Sequence, residues 1–224
     1  MRTYVLPIVI LIMSAIYIFA IPSDPEYLKL TFKLIPMLLI IYYAYLQLQH
    51  IRGSRQLYHT LLIVGLFFCM LGDGLLRWFV IGLTAFLIGH LFYLTSFIQN
   101  WHYSKARFYT IIPLAVFAVF MSWNLVASLL DKGDAHLIAP VLLYIIVISL
   151  MTWTAIMTGN KWAIVGSILF TISDSILSWN MFISKVDLSH LLIMATYYGA
   201  QFCMASSIRT ISQKKNSYTL KRVR

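Results

Sequence analysis

The sequence predicts an all-α, polytopic membrane helix bundle of eight transmembrane helices, and three observations lead there. Of the 224 residues 61% are hydrophobic and only 11% charged, a balance foreign to a soluble domain with one buried core. The apolar residues gather in eight runs of about 17 to 25 residues, the length that a ~30 Å hydrocarbon layer requires. Two of these runs enclose an aspartate in similar settings, Leu71 Gly72 Asp73 Gly74 Leu75 Leu76 and Ile172 Ser173 Asp174 Ser175 Ile176 Leu177. An ionised carboxylate at membrane depth costs about 2.5 to 3.5 kcal/mol on insertion scales, so each aspartate marks a candidate functional site.

The runs lie near residues 4–21, 30–48, 57–77, 79–98, 108–130, 136–157, 162–181 and 188–210. Together they make a single transmembrane domain over 1–211, with halves of about 1–107 and 108–211, followed by a basic cytoplasmic tail, 212–224. Arg2 precedes the first run, but no A-x-A-like cleavage site stands before Ile21 Pro22 Ser23, so the run reads as a retained helix. Cys69 and Cys203 both fall inside apolar runs and imply no disulfide framework.

Eight spans place Arg2, Arg52, Arg55, Lys105, Arg107, Lys161, Arg209 and the basic tail on one side. The other side holds Lys29, Lys33, Arg77, Lys132 and Lys185 with every acidic residue outside the two motifs. The positive-inside rule then puts both termini in the cytoplasm of a protein of the cell membrane. The net charge of +10 is mostly this topology signal. A basic folded face for nucleic acid is lacking, and anionic lipid is the ordinary partner of such a tail.

Along the chain, the first two runs carry Pro7, Pro36 and a turn at Pro22 to Pro25, and show no evident chemistry. In the third, Gly65, Cys69, Gly72 and Asp73 share one helical face. Small residues on a face admit a close neighbour, so Asp73 is expected to point into the bundle. The fourth presents Phe86, His90, Tyr93 and Phe97 at similar spacing, and a hairpin would return His90 beside the Asp73 helix. A lone membrane histidine is more often a hydrogen-bonded packing residue than a catalyst, but its return beside the Asp73 helix brings the two readings of His90 close to even. The fifth and sixth, with Pro113, Asn124 and Pro140, repeat the character of the first two.

The seventh run carries Ser167, Thr171, Asp174, Ser175 and Ser178 as a polar stripe. Back-bonding to helix carbonyls accounts for the hydroxyls but not for Asp174. The eighth sets His190, Met194, Tyr197 and Gln201 on one face beside Tyr198, where they would meet the Asp174 stripe. Trp78 and Trp179 each follow an aspartate by five residues, and Pro36 and Pro140 hold similar places, which suggests a parallel 4+4 internal repeat. At 1.5 Å per residue Asp73 would lie ~6 Å, and Asp174 ~10 Å, below the outer helix ends, in a cavity of the outer half of the bilayer.

Gly72 Asp73, Leu76, Gly82, Phe86, His90, Tyr93 and Phe97 form one block, and Ser173 Asp174, Asn180, Phe182 and the run Leu192 to Gln201 a second. In these blocks, about a third of the chain, the sequence resembles the YhhN family of membrane proteins, whose characterised members are lysoplasmalogenases. It departs from relatives in the tight connection after Asp73, where only Arg77 and Trp78 intervene.

The resemblance implies hydrolysis of the vinyl ether of a lysophospholipid, giving a fatty aldehyde and glycerophosphocholine or glycerophosphoethanolamine. Protonation of an enol ether at its β carbon yields an oxocarbenium ion that water attacks, and two carboxyl groups sharing one proton can serve both steps. Asp73 and Asp174 are the expected catalytic pair, with acid and base unassigned. His90, Tyr93, Ser173, Asn180, Tyr197, Tyr198 and Gln201 are expected to bind substrate or orient it. No metal or other cofactor is called for, since zinc hydrolases want three or four converging ligands.

Two other classes fit less well. A proton-coupled transporter of a small or lipid-like solute would also use paired intramembrane carboxylates, but no span is broken by Gly or Pro beside them. A purely structural membrane protein leaves both aspartates without purpose. A homodimer is compatible with the sequence, although no face singles itself out.

Overall fold

In a computed structural model, residues 2–22, 24–51 and 56–222 are described, with side chains between 5 and 211. The chain is all-helical over these residues. In order come α1 (Arg2–Phe19), α2 (Glu26–Gln49), α3 (Leu57–Leu75), α4 (Phe79–Ile98), a short α5 (Lys105–Phe108), α6 (Ile111–Asp131), α7 (Ile138–Thr158), α8 (Lys161–Phe182) and α9 (Ser189–Arg222). A 3₁₀ turn, Ala135–Leu137, leads into α7.

Among the described residues, seven helices are long and apolar enough to cross a membrane, and the described part of α1, Val5–Phe19, is apolar but shorter. The chain is an integral multi-pass membrane protein. The expected spans match these helices to within a few residues, with two informative differences. α3 ends at Leu75 rather than at 77, which leaves Asp73 two residues, or ~3 Å, from its end. The backbone of α9 stays helical through Arg222, beyond the expected start of a tail at 212; the side chains of that stretch lie outside the described residues.

Local chemistry explains the turns. Gly159, with φ 62°, closes α7 in the left-handed region, and the Asn160 side chain accepts from the Trp162 and Ala163 backbone N–H groups to open α8. At the other end of α8, the Phe182 carbonyl accepts from Ser128 Oγ and, at 2.6 Å, from Lys132 Nζ, so α6 caps its neighbour. The α3–α4 link is tight because Gly82 sits on Leu76: a Cβ there would lie 2.6 Å from Leu76 Cα.

α3 with α4, and α8 with α9, are the most intimate helix pairs. The predicted small-residue face of α3 is the reason in the first pair. A Cβ on Gly89 would fall 2.9 Å from Cys69 Sγ and 3.1 Å from the Gly65 carbonyl oxygen, so the two backbones touch. Between the halves, α4 packs on α7 and α2 on α9. Turns and helix directions bring the ends of α3, α6 and α8 and the starts of α2, α4, α7 and α9 to the same end of the bundle.

Gly89→Val should therefore lower the thermal midpoint of the detergent-solubilised protein, by the 1 to 3 kcal/mol typical of overpacking. Gly74→Ala, where nothing lies within 4 Å of the new methyl group, should leave it unchanged or slightly raised.

Candidate active site

Asp73 is buried, as its place on the small-residue face of α3 predicts. Its Oδ1 forms an ion pair at 2.9 Å with Lys33 Nζ of α2, whose side chain remains 15% exposed. Its Oδ2 has no hydrogen-bond partner among the described residues. The Tyr197 hydroxyl of α9 lies beside the carboxyl and reaches the Cys69 carbonyl oxygen at 3.4 Å. Removing one partner of a buried ion pair typically costs about 3 to 5 kcal/mol because the other charge is left stranded, so Lys33 and Asp73 hold α2 and α3 to one mutual rotation.

Asp174 sits differently. It is half-buried, accepts a hydrogen bond from the Tyr144 hydroxyl of α7, and borders an apolar cleft of about 60 Å³. Leu83 and Phe86 of α4, Met121 and Leu125 of α6, and Ile148 of α7 are among the residues that line it. Asp174 stands eight residues, or ~12 Å, from the end of α8, close to the predicted depth. Phe86 separates the cleft from Asp73. Its ring fills the space over Gly72, where a Cβ would lie 2.6 Å from it, and meets Phe170 and Tyr197 edge-on.

The remaining predicted residues divide between the two aspartates in an unexpected way. His90 is fully buried, but it does not face Asp73. Its Nδ1–H donates to the Phe86 carbonyl at 2.6 Å, and its ring packs edge-on against Phe170, Tyr144 and Tyr93. It thus leans on the tyrosine that holds Asp174. Its Nε2 has no hydrogen-bond partner among the described residues. Tyr93 donates to Gln201 Oε1 at 2.8 Å, joining α4 to α9.

The polar face of α9 meets the first half rather than the Asp174 stripe. Tyr197 lies at Asp73, Gln201 at Tyr93, and Tyr198 donates at 2.8 Å to the Lys33 carbonyl. His190 is exposed at the start of α9, its ring 5.4 Å from that of Tyr17. Ser173 donates to the Ile193 carbonyl and tethers α8 to α9, while the Asn180 side chain accepts from the Val186 backbone N–H in the turn between them. These two shape the site without reaching the carboxyl groups. The stripe on α8 behaves as back-bonding predicts: Ser167, Thr171, Ser175 and Ser178 all donate to carbonyls one turn earlier.

Lys33 and Tyr144 are the residues that sequence reasoning missed. Lys33 reads as one more cation near a loop, and Tyr144 as one aromatic in an apolar run. A lysine three residues inside a predicted span was the available signal for the first; none marked the second. Among the described residues no three His, Cys, Asp or Glu side chains converge as a metal site would need.

This arrangement can be set beside known proteins. A family model described as the YhhN family matches residues 28–208. The chain belongs to the YhhN family. It is 29% identical over 203 residues to "Lysoplasmalogenase TMEM86B" of Mus musculus, covering 88% of this chain and 83% of that protein. It is 31% identical over 156 residues to the Homo sapiens protein of that name, covering 66% and 64%, and 28% identical over 180 residues to "Lysoplasmalogenase TMEM86A" of Bos taurus, covering 74% and 72%. No solved structure matches.

Removing the Tyr93 hydroxyl leaves a buried amide oxygen unbonded. Tyr93→Phe should destabilise the folded protein by about 1 kcal/mol, read as a lower thermal midpoint in detergent, while Tyr103→Phe on the exposed surface should not move it.

Proposed function

We propose that the protein is an intramembrane hydrolase that cleaves the vinyl ether bond of lysoplasmalogens, releasing a fatty aldehyde and glycerophosphocholine or glycerophosphoethanolamine. The observation that carries this reading is a carboxyl group, Asp174, on the wall of an apolar cleft, with a second carboxyl, Asp73, behind one aromatic ring. The names of the relatives supply the substrate class, and the site supplies residues suited to it.

In the proposed reaction the vinyl ether end of the alkenyl chain enters the cleft, and the rest of the tail stays along the apolar helices. Asp174 donates a proton to the β carbon of the vinyl ether, and the electron pair of the double bond forms the new C–H bond, leaving an oxocarbenium ion. With the Phe86 ring swung aside, water adds to the α carbon and gives up its proton to Asp73, the carboxylate paired with Lys33. The hemiacetal so formed breaks its C–O bond to the glycerol. Asp73 returns its proton to the departing oxygen while the hemiacetal hydroxyl gives its proton to the Asp174 carboxylate and becomes the aldehyde carbonyl, so one water is consumed and both carboxyl groups recover their starting state. This use of two carboxyl groups around an oxocarbenium ion parallels glycoside hydrolysis. Tyr144 acts as a positioning residue through its bond to Asp174, and His90 supports Tyr144. A single-chain lipid suits the location, because its tail can remain among apolar helices throughout.

The basic residues at one set of turns support a cell-membrane protein with both termini in the cytoplasm, and a cleft that opens toward the outer leaflet. The matching of α3–α4 with α8–α9, and of α2 on α9 with α7 on α4, supports reading the halves 1–107 and 108–211 as a parallel repeat.

The purified protein in detergent, incubated with lysoplasmenylcholine or lysoplasmenylethanolamine, should release aldehyde. Asp73→Asn and Asp174→Asn should each lower kcat about 10² to 10⁴-fold, the usual worth of a general acid or base. Tyr144→Phe should lower kcat about ten-fold with little change in KM, as expected when a positioned acid loses its orientation. Full activity in either asparagine variant, shown to be folded, would sink the two-carboxyl mechanism.

A further inference from the structure

The ion pair at Asp73 has a feature that the hydrolytic reading does not use. Lys33 bonds to a buried carboxyl while part of its own side chain remains exposed, so it spans from the interior to the rim. Lys29 stands one helical turn nearer the start of α2, on the same face. His190, exposed on α9, lies within electrostatic reach of both lysines. Tyr198 fixes the α2 backbone at Lys33. Two ammonium groups and an imidazole able to donate an N–H therefore gather at one rim of the bundle, beside the exposed Arg77–Glu26 ion pair and above Asp73.

We propose that Lys33, with Lys29 and His190 at its rim, binds the phosphate of the substrate's headgroup, and that this phosphate competes with Asp73 for the Lys33 ammonium. The proposal rests on the hydrolytic reading for the identity of the substrate, and adds how its headgroup is recognised. An ammonium carries three N–H donors, and a single carboxyl oxygen at 2.9 Å leaves donors for a second anion. Lysine is an established point-charge partner of phosphate. In a lysoplasmalogen the phosphate and the vinyl ether oxygen are separated by the three glycerol carbons. A phosphate on Lys33 therefore holds the scissile bond close to Asp73. Drawing Lys33 toward the phosphate also loosens its hold on Asp73, so substrate binding and release of the carboxyl for proton transfer are one event.

The test is equilibrium binding in detergent of lysophosphatidylcholine and of the matching 1-acylglycerol, which lacks the phosphate group. Wild type should bind the phospholipid at least ten-fold more tightly. Lys33→Gln should shrink that preference to about two-fold, and Lys33→Arg should retain most of it. Asp73→Asn, which removes the competing anion, should tighten phospholipid binding several-fold without affecting the neutral lipid; this arm decides the matter even if Lys33→Gln does not fold. Equal weakening of both lipids by Lys33→Gln would make Lys33 a structural support only and overturn the proposal, as would equal binding of the two lipids by wild type. Inorganic phosphate competing as strongly as the phospholipid would assign the rim to free phosphate and overturn the headgroup assignment. Failure of wild type to release aldehyde from lysoplasmenylcholine would instead defeat the hydrolytic reading, while the binding preference would still stand or fall by itself.

Discussion

Inside a bundle that crosses a bilayer, a polar group can bond only to other parts of the protein, and the pairing of Lys33 with Asp73 is the most demanding instance here. Neither charge can be placed in hydrocarbon alone, so α2 and α3 must meet at that depth and in that rotation. The other polar side chains obey the same requirement in weaker form. Hydroxyls on α8 bond to their own helix, Ser173 bonds to the α9 backbone, and Tyr93 spends its proton on Gln201. Apolar packing alone would leave helix rotation loosely set, because lipid tails compete with leucine on equal terms. The polar contacts select one rotation for each helix.

Several of these contacts run between the two halves of the chain. Tyr93 with Gln201, Tyr197 with Cys69 and Asp73, and Tyr198 with the Lys33 carbonyl all join α9 to the first four helices. His90 in turn reaches into the second half, against Tyr144 and Phe170. The site around either aspartate is therefore incomplete in its own half, and folding of the halves together is what assembles it.

That exchange marks the limit of what the sequence made legible. The helix positions, and seven of the eight expected spans among the described residues, followed from hydropathy alone, because the bilayer imposes one length on every run. The burial of Asp73 followed from Gly65, Cys69 and Gly72, since the period of a helix fixes which residues share a face. Periodicity says nothing, however, about which helix that face will meet. His90 and Tyr93 were expected beside Asp73 because hairpin neighbours in sequence are neighbours in space, and α4 does pack on α3. Its glycines and the Tyr93 ring make that contact, with Tyr93 lying over Gly65, while His90 turns toward α7 and α8 and the Tyr93 hydroxyl toward α9. Lys33 and Tyr144 escaped notice for the same reason: each matters through a partner a long way off in sequence.

The two aspartate motifs look alike in sequence, and the difference between them lies in the helices opposite. α2 presents an ammonium to Asp73, whereas α7 presents a phenol to Asp174. A carboxyl paired with a cation and a carboxyl bonded to a neutral hydroxyl are different reagents, even at matched positions on matched helices. The surroundings widen the difference, since Asp174 borders an apolar cleft and Asp73 lies behind Phe86, below a basic rim. A pair of identical side chains can divide acid from base only if something breaks their equivalence. Here the asymmetry comes from the facing helices, so it can be altered at Lys33 or Tyr144 without touching either aspartate.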